Sequence, residues 1–165
     1  METGCKCSLT PISWLKNGTG KLCLFFMIIM VIASSIRPLI AQSILVIYND
    51  SGGELETRLD ILEQLKSTGQ RVEIHPGYCR SACTLYLGLD TTCTFHNVRF
   101  GFHGPSSNTL GVGLLPTEFE RWSLIMASYY PTSIRDWFMT TGRNITNGYF
   151  EITGTEMILY GVPEC

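Results

Sequence analysis

The stretch Ser43-Ile-Leu-Val-Ile-Tyr48, followed at once by Asn49-Asp-Ser-Gly-Gly53, constrains the fold more than any other part of this chain. A β-branched run that stops in a cluster of turn formers predicts a buried strand. From Glu54 to Ser67, Leu55, Leu59 and Leu62 recur at helical spacing, and Ile61 and Leu65 widen the apolar face. Gly69 ends that helix, and Arg71-Val-Glu-Ile74 predicts a second strand. Strand, helix and strand within about 30 residues make a βαβ unit, whose handedness closes a parallel sheet. The expectation is therefore an α/β fold.

Further along, Ser81 to Gly88 predicts a short buried helix and Val98 to Phe102 a strand. Residues 104–116, rich in Gly, Pro, Ser and Asn, predict a long loop. Two helices, Thr117–Tyr129 and Thr132–Thr140, are expected on either side of Pro131, with a last helical turn over Thr155–Tyr160. Trp122, Tyr129, Tyr130, Trp137 and Phe138 read either as helix-packing surface or as a hydrophobic groove.

The N-terminal part has a different character. Leu22 to Ile36 is an uncharged run of 15 residues preceded by Lys6, Lys16 and Lys21. A basic region before a short apolar stretch is the pattern of an export signal. A spanning helix wants roughly 20 apolar residues, so this run is short for one. Three readings stay open: a signal cleaved after Leu39-Ile40-Ala41 or near Ala33-Ser34-Ser35, an uncleaved membrane anchor, and a buried core helix. Export leads, which puts the protein in the periplasm or outside the cytoplasm. The division is residues 1–41 as signal or anchor and 42–165 as the domain. That domain carries 8 basic and 13 acidic residues, a net charge of −5, and so lacks a basic footprint for nucleic acid. It keeps Cys79, Cys83, Cys93 and Cys165, an even count that suits disulfides in an oxidising compartment, with three connectivities open.

Ligands of α/β sheets gather outside the carboxyl ends of the strands, and three unusual segments end strands here. In Asn49-Asp-Ser-Gly-Gly53, paired glycines let backbone N–H groups approach a ligand, as an oxyanion hole requires; a plain turn is the simpler reading. In Gly77-Tyr-Cys-Arg-Ser-Ala-Cys83, Ser81 starts a helix, where free N–H groups favour developing negative charge; a helix cap is the simpler reading. In Gly101-Phe-His-Gly-Pro105, His103 stands where a strand runs into the long loop, a place for a general base or for a structural histidine.

Taken in order, Ser51-Gly52-Gly53, Gly77…Ser81 and Phe102-His103-Gly104-Pro105 resemble the Clp-protease proteolytic-subunit family, over about residues 44–105. Cys79-Arg-Ser-Ala-Cys83 resembles an exported or periplasmic branch of it, and Thr155-Glu-Met-Ile-Leu-Tyr-Gly161 echoes the family's last helix. The resemblance implies a Clp- and crotonase-like parallel sheet of βαβ units with flanking helices, trimmed at the N-terminus and left with an exposed edge open to a partner or a second copy. By position, Ser81 is the nucleophile, His103 its base, and the N–H groups of Gly53 and Ala82 the oxyanion hole. The family's acid has no match in Asn144-Ile-Thr-Asn-Gly-Tyr-Phe-Glu151; Asn147, Asp136 or no third member stay open.

Cys79 and Cys83 flank Ser81, and pairing of either with Cys93 would fix the nucleophile loop; buried thiols, or zinc held by Cys79, Cys83, Cys93 and His96, are the alternatives. The leading expectation is an exported serine hydrolase acting on peptide bonds without a cofactor. The rival is a catalytically inactive module that binds peptides or scaffolds a complex at the membrane, reached through residues 22–36 if they stay attached. A homo-oligomer is compatible with both.

Overall fold

The computed structural model describes residues 43–107 and 113–165. They belong to one compact unit, Gln42–Cys165. The apolar run 22–36 and both cleavage sequences lie outside the described residues.

The predicted βαβ unit is present. Strand β1 (Leu45–Ile47), helix α1 (Leu55–Thr68) and strand β2 (Val72–Ile74) follow one another, and β1 pairs with β2 in parallel, Leu45 opposite Val72. Leu62 and Leu65 of α1 are buried, whereas Ile61, expected on the same face, is 37 % exposed. Strand β4 (Thr92–Thr94) extends this sheet on the far side of β2, giving the order β1-β2-β4, all parallel.

The expected parallel pairing extends beyond this sheet. A second three-stranded sheet has the order β3-β5-β6, from Gly77–Arg80, Val98–Phe102 and Phe150–Thr153. Its β3 and β5 run parallel, but β6 returns antiparallel, with Phe102 opposite Phe150 and Gly101 opposite Glu151. The sheets are joined where the chain leaving β1 runs beside β3. There the Asp50 N–H donates to the Tyr78 carbonyl and the Arg80 N–H to the Asp50 carbonyl, both at 2.9 Å. This link carries the glycine turn after β1 to the carboxyl end of β3.

Helices α2 (Pro116–Ser128) and α3 (Thr132–Thr140) bury Met126, Ala127, Ile134 and Phe138 in the core shared with Phe100 and Phe102 of the second sheet. Rings meet edge to face across this seam: Phe102 of β5 on Tyr130 at 5.6 Å and on Trp137 of α3 at 5.4 Å. A short α4 (Gly154–Leu159) follows β6, started by a capping box in which Glu156 accepts from the Thr153 N–H at 2.7 Å. Along the exposed edge of the first sheet, Ile44, Val46 and Tyr48 are half or more exposed.

Candidate active site

Strand β3 ends at Arg80, and at Ser81 the chain turns into a 3-10 helix, Ser81–Gly88. Ser81 takes a φ of +55°. That left-handed conformation costs a residue with a Cβ about 1–2 kcal/mol, so the surroundings must impose it. Three features do. Cys79 and Cys83 form a disulfide that spans Ser81, with a Cα–Cα distance of 5.3 Å. Beneath the serine, the Thr84 hydroxyl donates to the Ser81 carbonyl at 2.7 Å. Having given up its one proton, Thr84 accepts from the Tyr130 hydroxyl at 2.8 Å; burial pushes that phenol's pKa far up, so it keeps its proton. Beside it lies Gly52, φ +100°, where a Cβ would fall 2.6 Å from the Ser81 Cβ and 2.9 Å from the Ala82 nitrogen. Only glycine fits there.

The glycine turn is itself held by charge. Asp50 Oδ1 accepts from the Gly52 N–H at 2.7 Å, and Arg58 of α1 reaches Asp50 at 2.8 Å and the Gly52 carbonyl at 2.9 Å. The same guanidinium donates to the Tyr86 hydroxyl. Gly53 follows at φ +119° with open space where a side chain would be, and its N–H has no hydrogen-bond partner among the described residues. Ala82, second in its 3-10 helix, has an N–H with no acceptor inside that helix.

Gly53, Ser81, Ala82 and His103 all line one cavity of about 370 Å³. Leu55, Leu114, Trp122 and Met126 give it an apolar wall. His103 follows directly on β5. Burial lowers its pKa below the usual histidine range, and a hydrogen bond with the Gly104 backbone pulls the other way, as an acceptor carbonyl does. The ring is therefore neutral at pH 7, with a nitrogen free to take a proton. No hydrogen bond joins its ring to the Ser81 hydroxyl among the described residues.

The candidates for a third member stand elsewhere. Asn147 is exposed on the turn that includes Gly148, φ +69°, and Asp136 is exposed on α3. Neither lines the cavity or hydrogen-bonds to His103 among the described residues. The side chain from this stretch that reaches His103 is that of Tyr149, whose ring meets the imidazole edge to face at 5.3 Å.

The cysteine expectation also needs correction. Cys93 does not pair with the nucleophile loop; it joins Cys165, and Cys79 pairs with Cys83. All four thiols are thereby used, which removes the thiolate ligands of the zinc reading, and His96 Nε2 lies 2.6 Å from a Glu164 carboxylate oxygen. His75 is held by Glu73 at 3.2 Å and stacks edge to face on Phe95 at 4.8 Å. Sequence reasoning missed the Asp50–Arg58 clamp and Tyr149. The clamp had a readable trace, an acid in the turn and a base one helical turn into α1; Tyr149 required the antiparallel return of β6.

No family model and no curated protein matches the chain. Among solved structures, the 1510-N membrane-bound stomatin-specific protease, as a mutant in complex with a substrate peptide, aligns with a TM-score of 0.59. The alignment covers 88 % of this chain and 68 % of that one at 18 % identity. A second mutant of that protease aligns with a TM-score of 0.54 at 19 % identity, over 88 % and 72 % of the two chains. At such identity the likeness establishes the fold alone: the chain shares the mixed α/β architecture of that protease, parallel strands with flanking helices, as its sequence leads one to expect.

Proposed function

We propose that this protein is a serine hydrolase acting on peptide bonds. Ser81 Oγ attacks the scissile carbonyl while His103 takes its proton, and the N–H groups of Gly53 and Ala82 receive the charge that develops on the carbonyl oxygen. His103 then passes the proton to the leaving amine, and water, activated by the same ring, releases the acyl group from Ser81. One observation carries this reading: Ser81 sits in a left-handed conformation at a strand-to-helix junction, on the wall of the cavity that His103, Gly53 and Ala82 also line. A strained serine at such a turn is the arrangement that exposes a nucleophile beside free backbone N–H groups. A peptide as substrate is supported by the solved protease of the same fold, which was captured with one.

Export belongs to the proposal too. Two disulfides in the described residues suit a compartment in which thiols are oxidised, and the basic and apolar pattern before residue 41 suits a signal or anchor delivering the domain there.

A fluorophosphonate probe tests the chemistry. Native wild-type protein is expected to label and Ser81→Ala to stay dark. A native wild type that stays dark overturns the hydrolase reading in favour of the inactive peptide-binding module. That second reading draws on one observation: no carboxylate or amide side chain hydrogen-bonds to His103 among the described residues.

A further inference from the structure

We propose that Tyr149 is the positioning residue for His103, its ring taking the place that an acid holds in a three-member relay. The inference rests on the hydrolase reading and adds to it the group that orients the base.

The register supplies the contact. Strands β5 and β6 pair antiparallel with Phe102 opposite Phe150, so the next pair outward is His103 with Tyr149, on one face of the ribbon. Their rings meet at 5.3 Å with planes 66° apart. Tyr149 is fixed from behind. The Arg80 guanidinium lies 5.2 Å from its ring and 4.6 Å from that of Tyr78, and Arg80 is held by Glu151 at 2.8 Å. The base of the Tyr149 side chain rests on Gly101, where a Cβ would come 3.1 Å from its Cβ and Cγ and 2.7 Å from the Arg80 Cγ. On the other side of the histidine, the Gly104 N–H donates to the Ile145 carbonyl at 3.0 Å, tying the same returning segment to the strand end. Arg80 precedes Ser81 in the chain, so one side chain braces the ring beside the base from next to the nucleophile.

The consequence is an imidazole with a set orientation and one flank closed to water. Charged groups around it balance in pairs, Arg80 with Glu151 from β3 and β6 and Arg143 with Glu120 from the turn after α3 and from α2, while Glu54 and Glu56 line the cavity. The phenol oxygen has no part in this; the ring-to-ring contact does the positioning.

Two readouts test it on the full chain: the NMR titration of the His103 ring and the rate of fluorophosphonate labelling. Tyr149→Phe is expected to match wild type in both. Tyr149→Ala is expected to raise the His103 midpoint toward the ordinary value and to slow labelling roughly 10–100-fold, as a misplaced reacting group does. At 41 % exposure, Tyr149 is replaceable without loss of the core. Glu151→Gln, which frees Arg80, is expected to shift both readouts in the same direction and by less. A Tyr149→Ala protein whose His103 midpoint and labelling rate stay within twofold of wild type overturns the proposal. If wild type itself does not label, the hydrolase reading fails while the titration still decides whether Tyr149 orients the ring.

Discussion

At Ser81 the backbone holds a conformation it would not choose, and at His103 burial makes the charged ring harder to form than in water. The left-handed φ of +55° is imposed from three sides, by the disulfide, the Thr84–Tyr130 hydrogen bonds and Gly52. The imidazole is neutral because its cationic form would lose water on entering the cavity wall. That sets a pH dependence. With the folded pKa lowered below the unfolded one, the unfolded chain binds the extra proton first as pH falls. The stabilisation is thus complete above the unfolded value of about 6.5 and is lost as the pH drops through the folded value. The base is active in the same range in which the fold is best supported. The acid limb of kcat/KM should accordingly have its midpoint below about 6.5. A peptide-hydrolysis profile with a midpoint above that value would count against His103 as the base. Of these features, the serine, the histidine and the glycine pair were legible in the sequence, because each is a special residue type at a strand end. Tyr149 was not, since nothing in Gly148-Tyr-Phe-Glu151 marks its ring as facing a histidine until the strand partner is known.

Elements with strong periodicity were readable almost to the residue, and short ones were not. The sequence places helix Thr132–Thr140 and strand Val98–Phe102 where the structure has them, and it finds the segment Ser81–Gly88 as a buried helix. That segment is 3-10 rather than α; its side chains from Ala82 to Leu87 are all buried, leaving no polar face for periodicity to reveal. Strands β3, β4 and β6 have three or four residues each, too few for a period-2 pattern to stand out. What the pattern could not show is how α1 serves the site. Its Arg58, only 11 % exposed, ties the helix to Asp50, to the Gly52 carbonyl and to Tyr86 of the 3-10 helix. Removing one partner from a pair this well buried leaves the other unpaired, so Arg58→Ala should cost about 2–4 kcal/mol of stability. Urea unfolding would measure it, with labelling of Ser81 reporting the turn. A loss under about 0.5 kcal/mol, the size expected of a surface pair, would show that the clamp is not structural.

At the scale of the molecule, the segment leaving β1 bridges the two sheets among the described residues, and the site lies beside that bridge. Such an arrangement needs its far end closed, and the C-terminus does this. After α4 the chain comes back to the first sheet, where Glu164 bridges to Thr94 of β4 and the Cys165 N–H donates to the Thr94 carbonyl at 3.0 Å. The Cys93–Cys165 disulfide then makes the return covalent, closing a loop with a sequence separation of 72. That loop contains β5, His103, α2, α3 and β6, so the bond encloses every element of the second sheet except β3. Closing a loop of that length removes conformational freedom from the unfolded chain worth about 4 kcal/mol, if chain entropy dominates. The Cys79–Cys83 bond, spanning four positions, constrains little of the unfolded chain; its work is local, at Ser81. The two disulfides therefore separate by experiment. Cys165→Ala should lower unfolding stability by about 2–4 kcal/mol, read from the urea midpoint, while labelling of Ser81 under native conditions persists. A double Cys79→Ala, Cys83→Ala variant should show the reverse: a smaller loss of stability and a larger loss of labelling, because the left-handed serine loses the brace closest to it. If Cys165→Ala abolishes labelling while leaving the midpoint unchanged, the division of roles between the two bonds is wrong, and the C-terminal closure acts on the site rather than on the fold.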